Sequence, residues 1–266
     1  MQNGKIAQSG FLKVETRDGV ATVTIDRPDR KNAMNQAMWR EMAQVFTGFN
    51  TKADIRAVIL TGAGDDFCAG ADISEFDTLR GSASSARGYE MENSAAFAAI
   101  RTCFVPTIAA IRGVCFGGGF GLAAACDLRI ASGHALFCVP AARLGLAYPV
   151  DAMEDIVNAV GPQMAKYLTF TAARLDSRTV MDTGFLLEIV EPAGLGLRAL
   201  ELATTIAANA PLSVRASKAS IRAAQTMQPA DIAAADALGD ATFESADYAE
   251  GRAAFLGKRT ARFEGR

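Results

Sequence analysis

The sequence holds a single histidine, His134. It stands beside Gly133 in a turn between two strand-like runs and reads as a surface or capping residue. With no second histidine, no Ser-His-Asp or Cys-His relay can be assembled around it. No His/Cys cluster has metal-ligand spacing, so no metal is expected. The cysteines, Cys68, Cys103, Cys115, Cys126 and Cys138, are odd in number and lack any C-x-x-C pair. Their apolar company predicts buried thiols in a reducing compartment. Charge of one sign is also missing. Lys and Arg number 27 against 29 Asp and Glu, a formal net of -2, which argues against the basic face that nucleic acid requires. The longest uncharged apolar run, between Arg112 and Asp127, is glycine-rich and shorter than the roughly 20 residues of a spanning helix. The first residues lack the apolar core of a signal peptide. A cytoplasmic protein with no nucleic-acid or membrane partner is expected.

What is abundant is apolar side chain, 50% of 266 residues, enough for a sizeable core. Residues 11–16 and 20–25 alternate with period two around Arg17-Asp18-Gly19, which predicts a β-hairpin. Residues 26–34 form a loop whose Arg27, Arg30 and Lys31 read, taken alone, as a solvated turn. Asn35 starts a helix with Met38, Trp39, Met42, Val45 and Phe46 on one stripe. Short strands are expected at 57–61, 106–111, 127–131, 135–139 and 186–190. Helices are expected at 87–103, 150–160 and 162–171, with Asp176-Ser177 capping another. Residues 75–85 are small and polar and predict a mobile segment. Beyond Pro192 the chain is almost wholly helical: 194–209, 213–225, 231–238 and 246–258. The fold class is α/β, with a mixed core over 1–192 and a helical module over 193–266.

Two stretches organise the chain. Asp65-Asp66-Phe67-Cys68-Ala69-Gly70-Ala71-Asp72-Ile73 follows one strand. Gly117-Gly118-Gly119-Phe120-Gly121, running on to Cys126-Asp127, follows another and opens a helix of small residues. Small residues let another atom approach the backbone. A helix start presents free N–H groups and favours negative charge. AGAD, then GGG, then a small-residue helix ending in CD resembles the crotonase superfamily, the enoyl-CoA hydratase/isomerase family. The terminal Glu250-Gly251-Arg252-Ala253-Ala254-Phe255-Leu256-Gly257-Lys258-Arg259 is similar to that family's E-G-x-x-A-F-x-x-K-R.

The resemblance implies a spiral of ββα units with a C-terminal trimerisation module, giving a homotrimer or dimer of trimers. It implies an acyl-CoA thioester substrate and no cofactor beyond the coenzyme A that the substrate carries. The N–H groups of Ala71 and Gly118 would form an oxyanion hole. Coenzyme A would run along Arg27, Arg30 and Lys31, along Ala69, Asp72 and Ile73, and against Phe255 and Lys258.

The pattern breaks where the family's hydratases carry two glutamates. Those positions are Gly121 and Ala141, and neither residue can move a proton. The nearest substitutes are Tyr148, in a segment similar to that of methylmalonyl-CoA decarboxylases, and Asp151, in a turn where related dehalogenases and dienoyl-CoA isomerases place an aspartate. A tyrosine hydroxyl donates or accepts a hydrogen bond; its alternative role is a buried aromatic. Glu154 and Asp155 read as helix-dipole residues. Glu75 borders the loop and could swing in. The resemblance therefore implies an acyl-CoA enzyme that stabilises a thioester enolate. The alternatives are a decarboxylase-like or other non-hydratase member, or a silent acyl-CoA binder.

Overall fold

The computed structural model describes residues 10–76 and 83–266. Strands β1 (Leu12–Arg17) and β2 (Val20–Ile25) pair antiparallel from Leu12↔Ile25 to Arg17↔Val20. Asp18 and Gly19 between them have φ of 49° and 80°, which matches a two-residue hairpin to the twist of its strands. β2 then pairs parallel with β3 (Ala57–Gly62), β3 with β4 (Thr107–Ile111), β4 with β6 (Leu128–Ser132) and β6 with β9 (Glu188–Val190). A second, smaller sheet joins β5 (Val114–Phe116), β7 (Leu136–Cys138) and β8 (Leu175–Asp176).

The two sheets are filled in alternation. β4 lies in the large sheet, β5 in the small one, and helix α3 (Gly118–Ala125) follows; β6, β7 and helix α4 (Val150–Thr171) repeat the pattern. β3 does the same in reduced form, because the second strand of its unit is a single bridge, Cys68↔Cys115. This is the ββα rhythm that the resemblance implies. The strands expected on both sides of His134 thus enter different sheets, and His134 is exposed at the corner.

Period-two burial on the large sheet feeds two cores. Val23, Ile25, Val58, Leu60, Ala109 and Ile111 face α1 (Gln36–Phe49), α2 (Ala83–Arg101) and α3. Val20, Ala57, Ile59, Ile108 and Ala110 face Leu195, Ala199, Ala203 and Ala207 of α6 (Leu195–Ala207), which follows the short α5 (Ser177–Met181). That four-residue spacing is a helix stripe, so the first helix after Pro192 roofs the sheet. α7 (Pro211–Thr226), α8 (Pro229–Phe243) and α9 (Ala246–Leu256) extend beyond it.

Asn35 caps α1 by accepting the Met38 N–H. The two helices expected at 150–160 and 162–171 are one helix kinked at Gly161, φ 75°, before Pro162; a proline ring admits no unbroken helix there. The last sheet strand begins at Glu188, because Phe185 and Leu186 turn into the core. Of the segment expected to be mobile, 77–82 lies outside the described residues. Glu75 does not swing free: its Oε2 accepts the N–H of Gln36 at 2.9 Å.

Candidate active site

A buried asparagine braces the first loop. Asn32 Nδ2 donates to the carbonyls of Ala63 (2.9 Å) and Asp66 (2.6 Å), and its Oδ1 accepts the Arg27 N–H at 2.9 Å. Asp66 Oδ1 accepts the Val114 N–H at 2.8 Å, which ties the loop to β5. The sequence reading singled out this basic loop for its cations. It missed Asn32, whose partners lie 31 and 34 residues away.

From Phe67 to Asp72 the backbone donors of the loop are spent in order, with one exception. Phe67, Cys68 and Ala69 donate to the carbonyls of Arg112, Val114 and Lys31. Gly70 donates to Cys68 Sγ at 3.4 Å. Met34 bridges the next step: its N–H reaches Gly70 O and its carbonyl takes the Asp72 N–H, both at 2.8 Å. In such a parallel bridge the residue opposite, Ala71, turns its own N–H away. Among the described residues that N–H meets no acceptor.

The second loop leaves a matching donor. Gly117, at φ 55°, gives its N–H to Cys138 O at 2.8 Å and receives the first helical bond from Gly121 at 3.1 Å. Gly118 is the first residue of α3, so its N–H has no carbonyl behind it. The loops meet at their glycines. A Cβ on Gly118 would lie 3.8 Å from Ala71 N, and one on Gly70 would lie 3.1 Å from Gly118 N. A free N–H in the first loop and another at a helix start thus lie close together, an arrangement that can receive a developing oxyanion.

Three aromatics back this site. Trp39 is fully buried, donates Nε1–H to Tyr89 Oη at 3.1 Å, and packs edge-on to Phe97 with centroids 5.7 Å apart. A Cβ on Gly118 would come within 2.8 Å of the Trp39 ring, so the indole demands glycine there. Phe97 demands the same at the next turn: a Cβ on Gly121 would lie 2.7 Å from its Cζ. Trp39 appeared in the sequence only as a core residue of its helix stripe.

Of the sequence-predicted acid–base candidates, Tyr148 lies beside the second loop. Tyr148 is half-buried, and its Oη would lie 3.3 Å from a Cβ on Gly117. Asp151, in the first turn of α4, accepts at Oδ1 from its neighbour Ala152 N–H (2.9 Å) and from Ser94 Oγ of α2 (3.1 Å). Asp155 is not a solvent-facing dipole residue. It is 4% exposed and takes a 2.6 Å bond from Arg101. Burial, only partly offset by Arg101, pushes its carboxyl up to about 6. Ala141 is buried in the single turn Pro140–Leu144. Burial also raises the thiol of Cys68, to about 12, despite the Gly70 N–H, so it is no nucleophile.

The residues assigned to coenzyme A divide. Arg27 is engaged internally: Nη1 donates to Ala33 O (2.8 Å) and Nη2 to Asp72 (3.0 Å). Burial acts to raise the Asp72 carboxyl, but Ser74 and Arg27 together hold it below its ordinary range. These two residues lock the loops. Arg30 is exposed, and Lys31 is exposed with Nζ 3.4 Å from Asp66. Ala69 is half-buried, whereas Ile73 projects outward. Phe255 and Lys258 stand exposed at the end of α9. Among the described residues no group of acids, histidines and cysteines could hold a metal ion, and no helix is long and apolar enough to cross a membrane.

Residues 15–266 match the family described as Enoyl-CoA hydratase/isomerase. The chain is 36% identical over 253 residues to the short-chain-enoyl-CoA hydratase of Clostridium acetobutylicum, covering 92% of this chain and 94% of that one. It is 35% identical over 256 residues to the crotonyl-CoA hydratase of Syntrophomonas wolfei, covering 94% and 96%. A crystal structure of an enoyl-CoA hydratase/carnithine racemase from Magnetospirillum magneticum superposes with a TM-score of 0.91 at 33% identity, covering 97% of each chain.

Proposed function

This chain belongs to the enoyl-CoA hydratase/isomerase family, and from that premise we propose that it binds an acyl-CoA thioester with the carbonyl oxygen between Ala71 N–H and Gly118 N–H. The observation that supports this reading is the pair of backbone donors without an acceptor, which lie close together on two neighbouring loops. Negative charge on the thioester oxygen would strengthen both bonds, so the site favours reactions through an enolate. Coenzyme A would lie over Arg30, Lys31 and Ala69 and receive Phe255 and Lys258 from a neighbouring subunit of a trimer.

Relatives named for hydration make hydration the activity to test first. A hydratase needs a base for water and an acid for the α-carbon, each contributing about 10²–10⁴-fold. With Gly121 and Ala141 as they are, and Phe97 against Gly121, the remaining groups are Tyr148 and Asp151. We therefore assign an enolate-forming activity other than efficient hydration. The experiment follows the loss of enoyl absorbance from crotonyl-CoA and, in parallel, products from a panel of acyl-CoAs by mass spectrometry. Crotonyl-CoA turnover is expected well below the usual range of about 1–10³ per second. Turnover inside that range would overturn the assignment, and if it also survived Tyr148→Phe and Asp151→Asn, neither residue would be the substitute for the missing pair. Binding with no product from any thioester would favour a silent binder.

A further inference from the structure

The two backbone donors proposed for the oxyanion are supported differently. Gly118 N–H opens α3, where the helix start itself favours negative charge. Ala71 N–H has no such helix behind it, since only the three-residue turn Ile73–Glu75 follows. Its direction is set by the peptide that carries it. A trans peptide is planar, so its C=O and N–H point opposite ways. Gly70 O accepts the Met34 N–H at 2.8 Å, which aims the Ala71 N–H away from Met34. The Met34 N–H belongs in turn to the peptide whose carbonyl is Ala33 O, and that oxygen accepts from Arg27 Nη1 at 2.8 Å. Arg27, the Ala33–Met34 peptide and the Gly70–Ala71 peptide therefore form one hydrogen-bonded row that ends at the free Ala71 N–H. Bonds in such a row strengthen one another.

The far end of the row is anchored. Arg27 Nη2 donates to Asp72 Oδ2 at 3.0 Å, and both side chains are mostly buried. Asp72 Oδ1 is taken by the N–H and the hydroxyl of Ser74, at 3.1 and 2.7 Å. Asp72 balances the guanidinium charge, so what Arg27 supplies is aim rather than net charge. Its planar fork makes both bonds at once, which an ammonium on a flexible stem does not reproduce. We propose that Arg27 is a positioning residue for the oxyanion: through two peptide groups it fixes the direction of the Ala71 N–H, and it does not bind coenzyme A. This rests on the acyl-CoA reading and adds a residue to its site.

The test reads the thioester carbonyl itself. Butyryl-CoA, isotope-labelled at that carbon, is bound to the wild type, Arg27→Lys, Arg27→Gln and Asp72→Asn, and difference infrared spectra record its C=O stretch. Two donors on the oxygen should lower the frequency in the wild type. In both Arg27 variants the lowering should shrink, and butyryl-CoA should bind on the order of tenfold more weakly, the worth of about one hydrogen bond. Free coenzyme A should bind these variants as tightly as the wild type. Should one of them not fold, the other carries the comparison. Asp72→Asn, which leaves the Ala33 bond in place, should keep most of the lowering. A role confined to locking the two loops together would make Asp72→Asn lose as much as Arg27→Lys, and that result overturns the inference. An unchanged lowering in a folded Arg27 variant, or weaker binding of free coenzyme A there, overturns it too and leaves the acyl-CoA reading standing. A wild type whose bound butyryl-CoA shows no lowering would instead sink the oxyanion reading, and the inference with it.

Discussion

At the scale of single residues, glycine chemistry is set by neighbours that no local pattern reveals. Gly118 is glycine because Trp39 occupies the space of its side chain. Gly118→Ala should therefore push the two loops apart and misplace its own N–H without unfolding the chain. Where the protein shows turnover, a loss on the order of 10²–10³ is expected, as for removal of one oxyanion donor. Adding Trp39→Leu should return part of it. Equal turnover in Gly118→Ala and the wild type would take this donor out of the mechanism. Asp155 offers a second residue-scale test. Its carboxyl is raised from 3.8 to about 6 by burial, so the folded state holds a proton that the unfolded state has already lost. Between about pH 4 and pH 6 its contribution to stability then falls as pH rises. A shift of that size corresponds to roughly 3 kcal/mol at most. Denaturant melts at pH 4.5 and 7 should show the wild type losing on the order of 1–2 kcal/mol relative to Asp155→Asn. Parallel pH profiles would mean that Arg101 compensates the burial fully.

At the scale of elements, what the sequence makes legible is what local chemistry decides. The hairpin follows from alternation and Asp18-Gly19, the first helix from Asn35 and its apolar stripe, and the kink at Gly161 from the proline beside it. The small sheet is less legible because its strands have two or three residues each, too few for a period to register. The two loops proposed to hold the oxyanion could be placed from their small residues. Their bracing by Asn32, and the aromatic wall of Trp39 and Phe97, could not, because those contacts join elements far apart in sequence. That wall bears on how far the site can be remade. Gly121→Glu with Ala141→Glu would supply two carboxylates at the positions that the family resemblance marks. Phe97 stands 2.7 Å from the first Cβ at Gly121, and crowding a packed core costs about 1–3 kcal/mol. The double variant should melt lower and gain little crotonyl-CoA hydration. Adding Phe97→Ala opens the space, and hydration should rise by at least tenfold over the double variant. If the double variant alone gains as much, Phe97 yields freely and is no barrier.

At the scale of the molecule, the unresolved economy lies in the C-terminal helices. Phe243, Phe255 and Leu256 are 67%, 84% and 80% exposed, and Ile221 and Met227 are also uncovered. Single exposed apolar side chains need no explanation, but a set along consecutive helices does. The tail after α9 does not cover them. It turns back over Asp247 and Glu250, which take the N–H groups of Glu264, Gly265 and Arg262 and the guanidinium of Arg259. This brace leaves Phe255 and Lys258 pointing outward on a fixed support. Burial against other copies of the chain would recover roughly 25 cal/mol per Å² of apolar surface covered, and closed symmetry would place the same face in every copy. The number of copies comes from the family resemblance: we propose a trimer or a dimer of trimers, which light scattering at micromolar concentration would report. Phe255→Glu with Leu256→Lys should lower the measured mass while circular dichroism still reports folded chains. If Phe255 and Lys258 serve a neighbour's coenzyme A, the same variant should bind free coenzyme A at least tenfold more weakly, and Lys258→Ala should weaken it in an intact assembly. A stable wild-type monomer would remove the basis for both expectations. An intact trimer in which Lys258→Ala binds normally would keep the assembly and take Lys258 away from the phosphates.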